Sequence, residues 1–209
     1  MNYLEAINTI LSVIGEAPIS TLSDLQSNEI TDAALAQRTL DEVNTQVQNE
    51  GWGWNTNYAV SIQPDITDEY VLPSNALQTI FSPNRYAQKQ YVVRGNRVYD
   101  RESQTYKIAD GANPQPLVAD SMVMKLEWAD LPFAAQQYLA IRAARIYSDR
   151  FTNSNVIFTY TAQDEDYARA QLVRVEESTL NNNLLFGNDR GIGAGLGYVP
   201  AQGRLYRRN

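Results

Sequence analysis

The sequence predicts an α+β fold: a four-helix bundle with an antiparallel β domain inserted between helices 2 and 3, followed by an extended C-terminal arm. Three observations predict it. Apolar residues recur every three or four positions in two segments before residue 50 and in two after residue 129, one helical stripe in each case. Between them lie short runs of β-branched and aromatic residues punctuated by proline and glycine, the pattern of strands and turns. Glycine then takes every second position in Gly191-Ile192-Gly193-Ala194-Gly195-Leu196-Gly197, which suits neither a helix nor a strand. The boundaries expected are 1–54 for the first helical hairpin, 55–128 for the β domain, 129–182 for the second hairpin and 183–209 for the arm.

Leu4, Ile7, Leu11 and Ile14 form the stripe of the first helix, and Gly15 suits its C-terminal stop. A connector with proline and capping residues, EAPISTLSDLQSN, leads to a second helix from about Glu29 to Asn49. Its apolar face is Ala33, Ala36, Leu40, Val43 and Val47, and Gly51 ends it. In the β segment, TNYAVSIQ is expected to alternate, with Tyr58, Val60 and Ile62 on one side. Gly95-Asn96 within VVRGNRVY suits a two-residue hairpin turn. Helical period returns in WADLPFAAQQYLAIRAARIYSDRF, where Asp130 is a candidate cap, Pro132 suits the first turn, and apolar residues on nearly every side predict a central helix. Thr161 and Asp164 open a fourth helix with a stripe of Ala168, Leu172 and Val175. Two helical hairpins, each with one apolar face to bury, can close into a bundle around the insertion.

The chain has 209 residues and neither cysteine nor histidine. The length sustains a core without staples. The missing histidine excludes a Ser-His-Asp or Cys-His nucleophile, a histidine general base and nearly every zinc site. The N-terminal residues lack the basic start and apolar stretch of a signal peptide, and no run approaches a membrane span, so a soluble, unexported protein is expected. Net charge is −7. Asp189 against Arg190, Arg204, Arg207 and Arg208 makes the segment from Gly187 onward basic at +3, which leaves −10 on the acidic remainder. A surface of that sign disfavours a general grip on nucleic acid.

Three features invite chemical readings. The glycine-rich stretch lacks the lysine of a P-loop and the strand–helix setting of a dinucleotide fingerprint, so an arm is favoured over a phosphate loop. Trp52 and Trp54 in GWGW can form a sugar-stacking platform, or cover the junction between a helix and the next domain, the commoner role. The carboxylates Asp164-Glu165-Asp166, Glu176-Glu177 and Asp65 with Asp68-Glu69 are the remaining candidates for catalysis. Glycoside hydrolysis needs two at a fixed separation with one held protonated, and neighbours at i and i+1 on a helix do not face each other. A glycan-binding or glycan-cleaving protein using the Trp52/Trp54 region and a carboxylate pair is the alternative function.

LSVIGEAPISTLSD, EVNTQVQNEGWGWNTN, EYVLPSNAL, RGNRVYD and WADLPFAAQQYLAIRAARIYSDRF, in that order, resemble the tail tubular protein A family of T7-like short-tailed bacteriophages over about Met1 to Asn182. The resemblance implies a dodecameric head-to-tail adaptor ring, a homo-oligomer joining the portal protein to the nozzle protein (tail tubular protein B) and the tail fibre bases. Double-stranded DNA passes through its channel without sequence-specific binding. It implies no catalysis and no cofactor or metal, and a place in the virion tail after assembly in the host cytoplasm. In such a ring the arm is expected to meet a partner through Arg190, Leu196, Tyr198, Val199, Arg204, Leu205, Tyr206, Arg207 and Arg208, its ordering entropy lost only on docking.

Overall fold

A computed structural model of the chain describes residues 1–23, 31–82, 86, 89–109, 115–151 and 162–179. The described residues form four α-helices and five short strands, an α+β mixture. They group into two compact units, one of Met1–Glu50 together with residues from Glu127 onward, the other of Gly51–Leu126.

In the first unit, α1 (Tyr3–Val13) begins at a capping box. The Asn2 side chain accepts the Glu5 amide at 2.7 Å and the Glu5 carboxylate accepts the Asn2 amide at 2.7 Å, which satisfies two otherwise orphaned donors. Gly15, at φ 79, turns the chain out of the helix. The buried face is Ala6, Ile7, Ile10, Leu11 and Val13, while Leu4 and Ile14 at the margins of the predicted stripe are only partly covered. In α2 (Thr31–Gln48) all five predicted core residues are buried. Gly51, at φ 78, follows it.

A 3-10 turn at Trp128–Asp130 precedes α3 (Phe133–Phe151), so Asp130 lies in that turn and is not the cap expected for α3. The reason is Pro132: the residue before a proline is pushed out of the α region, and Leu131 is extended at φ −75, ψ 141. The helix therefore starts after the proline, whose carbonyl accepts the Gln136 amide at 3.0 Å. Helix α3 packs against α1, α2 and α4, as a central helix must. Its buried Ala135, Ala140, Ala143 and Ala144 let neighbours approach closely, while Tyr138, Leu139 and Tyr147 fill the space between them.

Helix α4 (Ala162–Thr179) buries Ala168 and Leu172 as expected, but Val175 is 41% exposed and the stripe is completed by Glu165 and Glu176. Steps of 3, 4 and 4 from residue 165 keep one face turned inward, whereas at about 100° per residue Val175 falls about 60° off its centre. Thr161, the expected start, lies outside the described residues.

In the second unit, β1 (Thr56–Ile62), β5 (Leu117–Met124) and β2 (Ala76–Ile80) form an antiparallel sheet in the order β1-β5-β2. The expected alternation in β1 breaks at Ala59, which takes a positive φ of 53. Ile62 is buried and Val60 partly so, but Tyr58 is 61% exposed. Strands β3 (Tyr91–Arg94) and β4 (Arg97–Asp100) make the predicted hairpin. Gly95 supplies the positive φ of 64 that the first central position of a II′ turn needs. Ile62, Tyr70, Leu72, Phe81, Val98, Leu117, Ala119 and Met122 form this unit's core. Each large apolar side chain so covered contributes about 1.5–3 kcal/mol.

Candidate interaction surfaces

The arm residues singled out in the sequence, Arg190, Leu196, Tyr198, Val199, Arg204, Leu205, Tyr206, Arg207 and Arg208, lie outside the described residues. The aromatic and acidic candidates do not. Trp52 and Trp54 stack at 6.3 Å with planes 15° apart, but Trp52 is fully buried and presents no open face to a sugar ring. It is pinned by its surroundings in the β unit. The Trp52 amide donates to the Asn55 side chain at 2.9 Å, and Asn55 in turn donates from its side-chain amide to the Met124 carbonyl at 3.0 Å.

The carboxylates at the start of α4 divide by exposure. Asp164 and Asp166 are exposed, whereas Glu165 is buried at the α3–α4 contact and accepts from Arg142 at 2.6 Å and from the Arg145 side chain. The same guanidinium of Arg142 donates to the Tyr138 hydroxyl at 3.2 Å, which also accepts from Arg169 at 3.0 Å. Arg169 completes the chain by donating to Glu50 at 2.8 Å. Hydrogen bonding to Glu165 raises the Arg145 pKa, and hydrogen bonding to Glu50 raises that of Arg169, so each guanidinium holds its charge firmly. Held by two arginines of α3, the Glu165 carboxylate serves as a clamp between α3 and α4.

Asp65 is likewise occupied. Its carboxylate accepts from the Thr67 hydroxyl at 2.6 Å, the Thr67 amide at 2.8 Å and the Glu69 amide at 3.0 Å, and these bonds hold its pKa below the usual carboxylate value. Among the described residues no group of three or more metal-ligating side chains forms, and no helix is long and apolar enough to cross a membrane.

Sequence reasoning read RGNR only as a turn and missed what its register does. Tyr91 pairs with Asp100 and Val93 with Val98 on the face that joins the core. On the opposite face Arg94 stands directly across from Arg97, and Val92 across from Tyr99. The Arg94 guanidinium lies 3.7 Å from the Tyr99 ring centre, and Tyr99 meets Tyr106 edge-on at 4.9 Å. Arg97 donates to Glu69 at 2.9 Å and shares a shallow cleft with Lys107, Asp65 and Val71. Two arginines flanking a turn at the period of one face were the available signal.

A family model described as tail tubular protein matches residues 4–181, a span that takes in the described helices and strands from the second residue of α1 onward. The chain belongs to the tail tubular protein family. It is a phage tail structural protein, and as a tail tubular family member it is a component of the virion tail. No curated protein sequence matches it. Against that family background, the spent carboxylates and the buried tryptophan are fold-supporting features of a tail tubular chain.

Proposed function

We propose that this chain is the subunit of a dodecameric head-to-tail adaptor ring that joins the portal to the nozzle protein and tail fibre bases and forms part of the DNA ejection channel. The observation that carries the reading is the family match over residues 4–181, which spans both units. In this reading the four helices are the bundle body, residues between α2 and α3 are an inserted β domain, and residues 183–209 are an arm that embraces a neighbour or the portal. It performs no catalysis.

A cyclic assembly repeats one heterologous contact, so every subunit presents two unlike, complementary faces. The charge of the chain supports this. Outside the arm, residues 1–50 and 127–186 hold sixteen acids against six bases, while residues 51–126 hold seven of each. Acids along a channel would also keep the DNA backbone from adhering during passage. Imaging and mass measurement of the full chain, alone and mixed with its portal, test the proposal. Closed annuli of twelve copies are expected in the mixture, and their absence there overturns it.

A further inference from the structure

We propose that α4 is a latch: it leaves the helical unit as one piece while α1, α2 and α3 stay folded, because ion pairs and hydrogen bonds, not a broad apolar face, hold it closed. This opening is independent of the ring reading. Helices α1, α2 and α3 each pack against the other two, whereas α4 packs principally on α3. The difference follows from what each helix covers. The buried side chains of α1 are Ala6, Ile7, Ile10, Leu11 and Val13, all apolar. Those of α4 are Glu165, Ala168, Leu172 and Glu176, so half are acids and Leu172 is the one large apolar group among them. Releasing α4 returns little apolar surface to water, while releasing α1 or α2 would break the core.

The contacts that close the latch are charged. Glu165 accepts from Arg142 at 2.6 Å and from Arg145, and Arg169 donates to Glu50 at 2.8 Å and to the Tyr138 hydroxyl at 3.0 Å. The groups that stay behind already have other partners on α3. Arg142 also donates to the Tyr138 hydroxyl at 3.2 Å, one turn back, and Arg145 to Asp149 at 3.0 Å, one turn on. Glu50 and the two arginines keep part of their surface in water even when the latch is closed. The Nε of Arg142 is buried without a partner in the closed position, and departure of α4 opens it to solvent. Breaking a buried pair is costly when a charge stays covered and alone; here α4 takes the cover away together with the partner. Residues 183–209, the expected arm, follow α4 in the sequence, so opening moves the point from which that segment departs.

Native-state hydrogen exchange on the full-length chain in low denaturant tests the latch. The amides of residues 166–176 are expected to exchange as one group, about a hundredfold faster than those in the middle of α3, through an opening less dependent on denaturant than global unfolding is. Two variants separate that opening from unfolding of the whole. Ile10→Val trims the core of α1, which stays folded when α4 opens, and should speed exchange in α1, α2 and α3 about fivefold while leaving α4 unchanged. Glu165→Gln weakens only the closed position and should speed α4 about thirtyfold. Loss of protection confined to α4 in that variant is the same result carried further. Equal protection of α3 and α4, an Ile10→Val effect of the same size in α4, protection lost progressively inward from residue 179, or α4 exchange unchanged in Glu165→Gln each overturns the latch. Ring formation is no part of this measurement, so a failed ring reading leaves the latch standing and a failed latch leaves the ring.

Discussion

Glu165 shows how one side chain can be misjudged from its neighbours in the chain. Between two exposed acids it looks like a member of a solvated first turn, yet it is buried and shared by Arg142 and Arg145. Removing the charge leaves two guanidiniums facing each other without their common partner. Glu165→Gln is expected to destabilise the protein by about 2 kcal/mol, less than a fully buried pair because the arginines keep some solvent. Asp166→Asn, exposed one residue on, should stay within about 0.5 kcal/mol. Denaturant midpoints of the two variants check the contrast. Tyrosines carry the alkaline response. Burial first, then the charge of Asp100, pushes Tyr91 up to about 12, and burial likewise pushes Tyr147 up to about 12. An unfolded tyrosine titrates near 10, so the neutral phenols stabilise the fold fully below about pH 10 and that contribution is lost as pH rises towards about 12. Phenolate absorbance rising late, together with a melting temperature that drops in that window, is the expected outcome. Melting that is flat to pH 12 would contradict it.

Local chemistry set several elements almost unaided. The α1 capping box is written in Asn2 and Glu5 at the right separation, and Asn2→Ala should cost about 1 kcal/mol, measurable by equilibrium unfolding. The β3–β4 turn depends on one backbone angle. A Cβ at Gly95 would meet nothing within 4 Å, so Gly95→Ala should cost about 1 kcal/mol through its φ of 64 alone, not through a clash. Where sequence reasoning erred, a neighbour in space or a steric detail was responsible. Asp130 has the chemistry of a cap, but the extended Leu131 before Pro132 moves the helix start past it. Val175 is apolar and near the α4 stripe, but Glu176 lies closer to its axis and takes the buried position. In β1, Ala59 leaves the extended region, and the alternation expected to place Tyr58 beside Ile62 does not survive it.

At the scale of the whole molecule, the proposed ring draws on the segregation of charge along the sequence and on the C-terminal arm expected from it. Deleting Gly187 to Asn209 is expected to leave the melting temperature nearly unchanged, because the family match ends at residue 181 and the cores formed by the described residues lie before it. Ring formation or portal binding should weaken, since the deletion removes four of the chain's arginines together with Leu205 and Tyr206. Assembly undiminished by the deletion would remove the arm from the contact.

The α+β class, the order of helices and strands, the hairpin turn and the structural role within a phage tail were legible from the sequence. Periodicity, caps and turn residues act over a few positions and carry their meaning in linear order. The clamp through Glu165, Arg142, Tyr138, Arg169 and Glu50 and the burial of Trp52 were decided only by tertiary structure. Each depends on which face a residue shares with residues up to more than a hundred positions away. A hydrogen bond or ion pair counts only when folding brings both of its ends out of water together.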